Sequence, residues 1–166
     1  MQTAEYWIEK LQLQKHPEGG WFREIYRDDG IIFRDGLPSR YMGSRVYSTA
    51  IYYLLQSGEC SVFHRLQSDE QWFHLEGSRL AVHTLSSSGK YQKLLLGKNL
   101  TSGEQPFAVV HRGIWFGASV EADHSFTLAA CVVAPGFDFE DFESARRDEL
   151  IKTFPQHKEI IEKLTQ

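Results

Sequence analysis

The chain has 166 residues, of which 42% are hydrophobic, 24% charged and 13% aromatic. At about 150 residues per domain, that length reads as one domain spanning 1–166, and the balance excludes disorder, collagen and coiled coil. The net charge of -4, without any run of Lys or Arg, gives no electrostatic footprint for nucleic acid.

The longest fully apolar run, residues 128–135, is far too short to span a bilayer. The opening MQTAEYWIEKL lacks the basic and apolar regions of a secretory leader. Cys60 and Cys131 both lie in apolar strand-like runs with no CxxC or Cys/His cluster around them. They read as buried thiols rather than a disulfide, which places the expected location in the cytoplasm.

Residues 4–13 set Trp7, Ile8 and Leu11 at helical spacing, with Thr3 as N-cap. His16-Pro17-Glu18-Gly19-Gly20 then punctuates the chain, and 21–27 alternates as a strand. Residues 28–44 read as a long polar loop, a length that is often functional in a small domain. Strands follow over 46–55, 60–66, 70–76, 79–85, 91–96, 107–112, 114–120 and 125–134, many of them separated by Gly or Ser turns. That succession predicts a mainly all-β sandwich or barrel. Helical spacing returns over 144–153 with Ser144 as candidate N-cap, and Pro155 opens a last helical piece with Ile160, Ile161 and Leu164 on one side.

The informative stretch is GECSVFHRLQSDEQWFHLEG, residues 58–77. In a strand, alternate side chains share a face. His64 then sides with Val62 and Leu66, and Glu70 with Trp72 and His74. If Gln67-Ser68-Asp69 turn the chain back, His64 and Glu70 meet inside one barrel. An imidazole beside a carboxyl is either half of a metal site or an acid/base pair. Trp72 and His74, on the same inner face, would bind a flat or sugar-like ligand, or else fill a narrow barrel. Gln71, Phe73 and Leu75 face outward, and need a cover from a partner subunit or the terminal helices. Each reading keeps its structural counterpart: His64 as a bonded core histidine, Glu70 as one half of an ion pair. The acidic run 138–143 reads as a cap before a helix or a solvated face. His83 and His124 read as ordinary strand and turn residues.

The spacing from Gly58 through His64, Leu66 and Glu70 to Gly77 resembles the first sequence motif of the cupins: Gly, five residues, His-x-His, three or four residues, Glu, six residues, Gly. Every position matches except the second His, which is Leu66. The second motif is weaker. Counting from Gly113 places His111 at its Pro and Phe116 at its His ligand, with Gly103 too far upstream. Of the four usual cupin metal ligands, His64 and Glu70 remain, since Leu66 and Phe116 have no lone pair to give.

Five ordered blocks narrow the resemblance: HPEGGWFRE, TAIYYLL, FHRLQSDE, GIWFGA and APGFDFEDFE. They look like one subfamily, the single-domain cupin-five proteins, over nearly the whole chain. Leu and Phe at the two ligand places are usual there. His111 is a departure from the usual Pro, and bears on the turn into the Trp115 strand. The resemblance implies a double-stranded β-helix, or jelly-roll barrel, with a short N-terminal helix and C-terminal helices. It also implies a homodimer, and it carries over no catalytic residues or agreed reaction.

Three functions follow as expectations. The first is an isomerase- or epimerase-like enzyme on a sugar or sugar nucleotide, by likeness to sugar-nucleotide epimerases of similar barrel fold, whose His–Asp pair implies Asp138 as an orienting partner for His64. His64 would be its base and Glu70 its acid, with Trp72 and His74 lining the site. The second is a cupin that holds a small molecule without turnover. The third is a metal-dependent enzyme in which His74 joins His64 and Glu70 around a divalent ion. No nucleic acid or membrane partner is expected.

Overall fold

The computed structural model describes residues 2–165, and its elements follow the hydrophobic pattern closely. In chain order they are helix α1 (Ala4–Lys10) and strands β1 (Gln14–Lys15), β2 (Trp21–Arg27), β3 (Ile31–Ile32), β4 (Arg45–Val46), β5 (Thr49–Gln56) and β6 (Cys60–Leu66). There follow β7 (Asp69–Gly77), β8 (Leu80–Leu85), β9 (Tyr91–Leu96), β10 (Phe107–Val110), β11 (Trp115–Val120), β12 (Phe126–Ala134) and β13 (Phe142–Ser144). Helices α2 (Arg147–Thr153) and α3 (Lys158–Lys163) close the described chain.

Antiparallel strands form two large sheets, ordered β1-β2-β5-β12-β7-β10 and β13-β6-β11-β8-β9, with β3 and β4 as a separate pair. The sheets face each other, and their inner side chains make the core. Tyr53, Leu55, Trp72 and Cys131 from the first meet Leu66, Val82, Leu96 and Phe116 from the second. Alternation explains the division: along β7, Glu70, Trp72 and His74 are buried while the residues between them are not. Gly77 ends that strand at φ +86°, where an added Cβ would stand 2.1 Å from the Phe126 carbonyl oxygen. Glycine is therefore the residue that fits the last position of the motif.

The terminal helices cover outer faces elsewhere than expected. Leu150, Phe154, Ile161 and Leu164 from the C-terminal segment pack on Phe63 and Leu85. Helix α1 brings Trp7 and Ile8 onto Leu54, Phe126 and Leu128. Neither helix lies on the outer face of β7, where Phe73 packs instead against Phe107 at 5.0 Å between ring centroids. Thr3 caps α1, its hydroxyl accepting from the Tyr6 amide at 3.3 Å. Ser144 caps nothing: it pairs with His64 as the end of β13, and α2 begins only after Arg146. The acidic run likewise leads into a 3-10 turn and β13, not directly into a helix.

The long loop is tied down rather than free. Arg45 sets its Nε and Nη2 each 2.7 Å from a different Asp141 oxygen, a buried two-pronged ion pair. Tyr41, fully buried, donates from its hydroxyl to the Gln67 carbonyl and takes a 2.8 Å bond with the Ser68 hydroxyl. The loop thus grips the turn that carries the chain from β6 in one sheet to β7 in the other. The cysteines are free thiols, but only Cys131 is buried; Cys60 is half-buried. No helix among the described residues is long and apolar enough to cross a membrane.

Candidate functional site

One end of the barrel holds a cavity of about 250 Å³ between the sheets. His64 from β6 and Glu70 from β7 both line it, on opposite sides of the 67–68 turn. His64 is placed by its ladder, opposite Phe116 of β11 and Ser144 of β13, and its ring packs on Phe116 at 4.0 Å between centroids. Glu70 stands opposite Val133 of β12 and Val110 of β10.

Two further polar residues, His16 and Glu18, join the lining from the loop between β1 and β2. Their loop is locked onto the barrel wall. The Glu18 carbonyl accepts from the Val62 amide at 2.9 Å, and the Gly19 carbonyl accepts from the Tyr53 hydroxyl at 2.8 Å. Gly19 has φ +104°, and a Cβ there would lie 2.1 Å from the Cys60 carbonyl oxygen. That close approach delivers the Glu18 carboxyl to His64, with Oε2 3.3 Å from Nδ1.

The tautomers follow from the partners. His64 Nδ1 lies 2.8 Å from the Val62 carbonyl oxygen, which can only accept. Nδ1 therefore carries the hydrogen and Nε2 the lone pair. His16 is the reverse, because its Nδ1 accepts from the Glu18 amide at 3.2 Å. Burial sets the charge states. It lowers His64 to about 3 and His16 to about 4, and raises Glu70 to about 8. Burial, and then the neighbouring Glu70 charge, lift Glu18 to about 9. Desolvation of both partners outweighs the attraction a charged His64–Glu18 pair would gain, so at neutral pH two neutral imidazoles face two neutral carboxylic acids.

The other sequence-predicted residues lie elsewhere. Trp72 shares the inner face with Glu70 but sits deeper, wedged between Tyr53 and Phe116, and does not line the cavity. Its indole N–H acts on the Glu70 carboxyl as a weak hydrogen-bond donor, opposing the upward push of burial, while neither Trp72 Nε1 nor Glu70 Oε2 has a partner at full hydrogen-bond geometry among the described residues. His74 lies further along β7, where its Nε2 donates to the Ser78 carbonyl at 3.0 Å. It borders a shallow depression with Arg79 and Glu104, away from His64. Strand alternation does put all three on one face. The rise of roughly 3.3 Å per residue, applied over four residues, carries His74 well beyond Glu70. Asp138 lines the cavity, but its carboxylate accepts from the Glu140 amide, and the carboxyl beside His64 belongs to Glu18. His111 is exposed and bonds Asp69 at 3.1 Å, and the turn into β11 forms with Gly113 bonded to Leu66. His83 is buried between the Tyr91 and Ser119 hydroxyls, as a structural strand residue would be.

The residues do not fit a metal held in the usual cupin manner. Two of the four ligand positions are Leu66, an apolar wall of the cavity, and Phe116, a ring packed on His64. His74, the proposed substitute, lies outside the cavity, with its Nε2 bonded to the Ser78 carbonyl. Among the described residues no three His, Cys, Asp or Glu side chains gather as a metal-binding group.

Two facing antiparallel sheets with a motif histidine and glutamate turned into one end of the barrel define a cupin. The chain belongs to the cupin superfamily family DUF985, whose sequence pattern matches residues 5–145. It is similar to the protein SO0799 of Shewanella oneidensis, with 38% identity and a TM-score of 0.90 over 100% of this chain and 99% of that one. A hypothetical protein from Leishmania major is 33% identical with a TM-score of 0.90, over 99% of both chains. The uncharacterized protein YML079W of Saccharomyces cerevisiae is 29% identical over 159 residues, 87% of this chain and 76% of its own.

Proposed function

We propose that the cavity binds a small carbonyl compound, sugars included, and shifts a proton between its carbon atoms, as an isomerase or epimerase does. The observation that carries this reading is the fixed tautomer of His64, with Nδ1–H held by the Val62 carbonyl and the lone pair left on Nε2. A base with its proton-bearing nitrogen pinned keeps the other aimed without reorganisation.

The acid is Glu18 rather than the sequence-assigned Glu70, because Glu18 touches His64 and arrives protonated. His64 Nε2 takes the proton from the carbon beside the carbonyl while the Glu18 hydroxyl protonates the carbonyl oxygen. A neutral enediol forms, and the protein is left with an imidazolium–carboxylate pair in contact. Burial opposes that pair at rest, and the contact at 3.3 Å stabilises it as it forms. His64 then returns its proton to the neighbouring carbon as the second enediol hydroxyl gives its own proton to Glu18, and both groups are neutral again. Glu70 is left to bind the substrate.

The test has two stages. Thermal-shift screening against aldoses, ketoses, sugar nucleotides and keto acids finds a binder. Proton NMR in D₂O then follows deuterium entering that binder beside its carbonyl. Wild type is expected to exchange, and His64→Ala and Glu18→Gln to slow exchange by about 10²–10⁴-fold while still binding. A tight binder that wild type never exchanges would overturn the reaction and leave a binding site without turnover.

A further inference from the structure

The cavity holds more carboxyl groups than cations, although two of those carboxyls, Glu18 and Glu70, are protonated at rest. Glu18, Glu24, Glu70 and Asp138 line it against one guanidinium, Arg27. Arg27 is already committed, bonding both Glu24 oxygens at 3.1 and 2.7 Å. The two imidazoles do not compensate, since burial holds both neutral.

Within this lining one atom stands out. Glu70 Oε2 is buried and has no donor among the described residues, in a side chain whose residue is only 8% exposed. A buried acceptor with nothing to accept from is costly, and a glutamine or methionine of similar size would avoid the ionisable group altogether. The Glu70 carboxyl group lines the cavity, and acceptor capacity left unfilled there is where a ligand's donor belongs. The walls around it are aromatic: Phe22, Phe137 and Phe142 line the space, and Phe139 stands at its mouth, 70% exposed. Ring faces carry negative potential and attract a cation, most strongly where water is excluded.

We propose that the ligand carries a protonated primary amine on a ring-sized, partly apolar body, its ammonium donating to the Glu70 carboxyl and flanked by the phenylalanine rings. Glu70 ionises as the ammonium enters, its proton passes to solvent, and the ligand supplies the counter-ion that the chain does not. A divalent ion fits less well, because it wants several converging donors and no such group assembles among the described residues. The inference rests on the cavity being the ligand site and deepens the proposed reaction by giving its substrate class, an amine-bearing carbonyl compound. Glu18 and His64 remain free for the proton shift.

Binding alone decides it. Isothermal titration and thermal shift of the full chain would compare benzylamine with benzyl alcohol, and cyclohexylamine with cyclohexanol, alongside manganese and zinc chlorides. Each amine is expected to bind at least about tenfold more tightly than its alcohol, the difference between a charge-assisted and a neutral hydrogen bond. Glu70→Gln, isosteric and checked for folding by its own melting curve, should erase that preference. Equal affinity for alcohol and amine, an amine preference that survives Glu70→Gln, or stabilisation by the metal ions without the amines would each overturn the inference. Amines that bind while no carbonyl ligand ever exchanges deuterium would sink the proton shift and support this site. A neutral sugar that exchanges while amines are ignored would do the reverse.

Discussion

Replacing Glu70 by glutamine should make the protein more stable at neutral pH and flatten its alkaline slope. Burial holds the folded carboxyl at about 8, against an ordinary value of 4.5 in an unfolded chain. Between those values the native state keeps a proton that the unfolded state has lost. Stability therefore falls as pH rises through that window, by about 1.4 kcal/mol per pH unit for one group. From pH 4.5 to 7 the deficit reaches about 3 kcal/mol by the same conversion. Glu18, held at about 9, adds a loss of the same sign. His16 and His64 act oppositely: lowered to about 4 and about 3, they cost stability only as pH falls below 6.5. Above pH 6.5 the two carboxyls act alone, so the wild-type slope from 6.5 to 8 should approach twice the single-group value, about 2.7 kcal/mol per unit. The substituted amide carries no proton to lose, so E70Q should halve that slope and match wild type near pH 4. Urea unfolding at half-unit steps from pH 4 to 8.5 measures both curves. Parallel slopes for the two proteins above pH 6.5 would refute the assignment of a buried neutral acid at this position.

Two other outcomes follow from the supports of the site. Arg45→Ala strands the buried Asp141 carboxylate and should cost about 3–5 kcal/mol in the same unfolding assay, while Arg45→Met combined with Asp141→Leu should recover much of it. A single variant indistinguishable from wild type would show that the pair does not hold the long loop. Gly19→Ala must place a Cβ where the Cys60 carbonyl already stands, at a φ that disfavours L side chains. It should lose about 1–3 kcal/mol and, by shifting Glu18, slow deuterium exchange more than binding.

The strand ladder is legible in the sequence because alternation and Gly/Ser turns report directly on a two-faced sheet. β2, β6 and β9 fall on the boundaries the residues indicate. Ser144 misleads because a capping side chain and a strand-end side chain look alike in sequence, and only the pairing with His64 separates them. Motif spacing finds His64 and Glu70, and the two strands do bring them to one cavity. Trp72 and His74 group with them because alternation gives the face and not the depth. Glu18 and His16 escape notice as chemistry because they are more than 45 residues from His64 in the chain, and a loop contact leaves no periodicity. The signal for them is the pair of glycines after Glu18. A residue forced to φ +104° against another backbone marks a loop held in close contact, and the side chain beside it is worth testing for function.

The protonation state of His64 bears most directly on the proposed chemistry. Nitrogen-15 NMR of histidine-labelled protein, titrated from pH 4 to 8, reads tautomer and charge for each ring. The expected His64 signal is a neutral imidazole with hydrogen on Nδ1, unchanged across that range. An imidazolium at pH 6 would mean that Glu18 already holds a charged partner, and a neutral ring with its hydrogen on Nε2 would have its lone pair on the wrong nitrogen; either result would leave no resting base at Nε2 to take a proton.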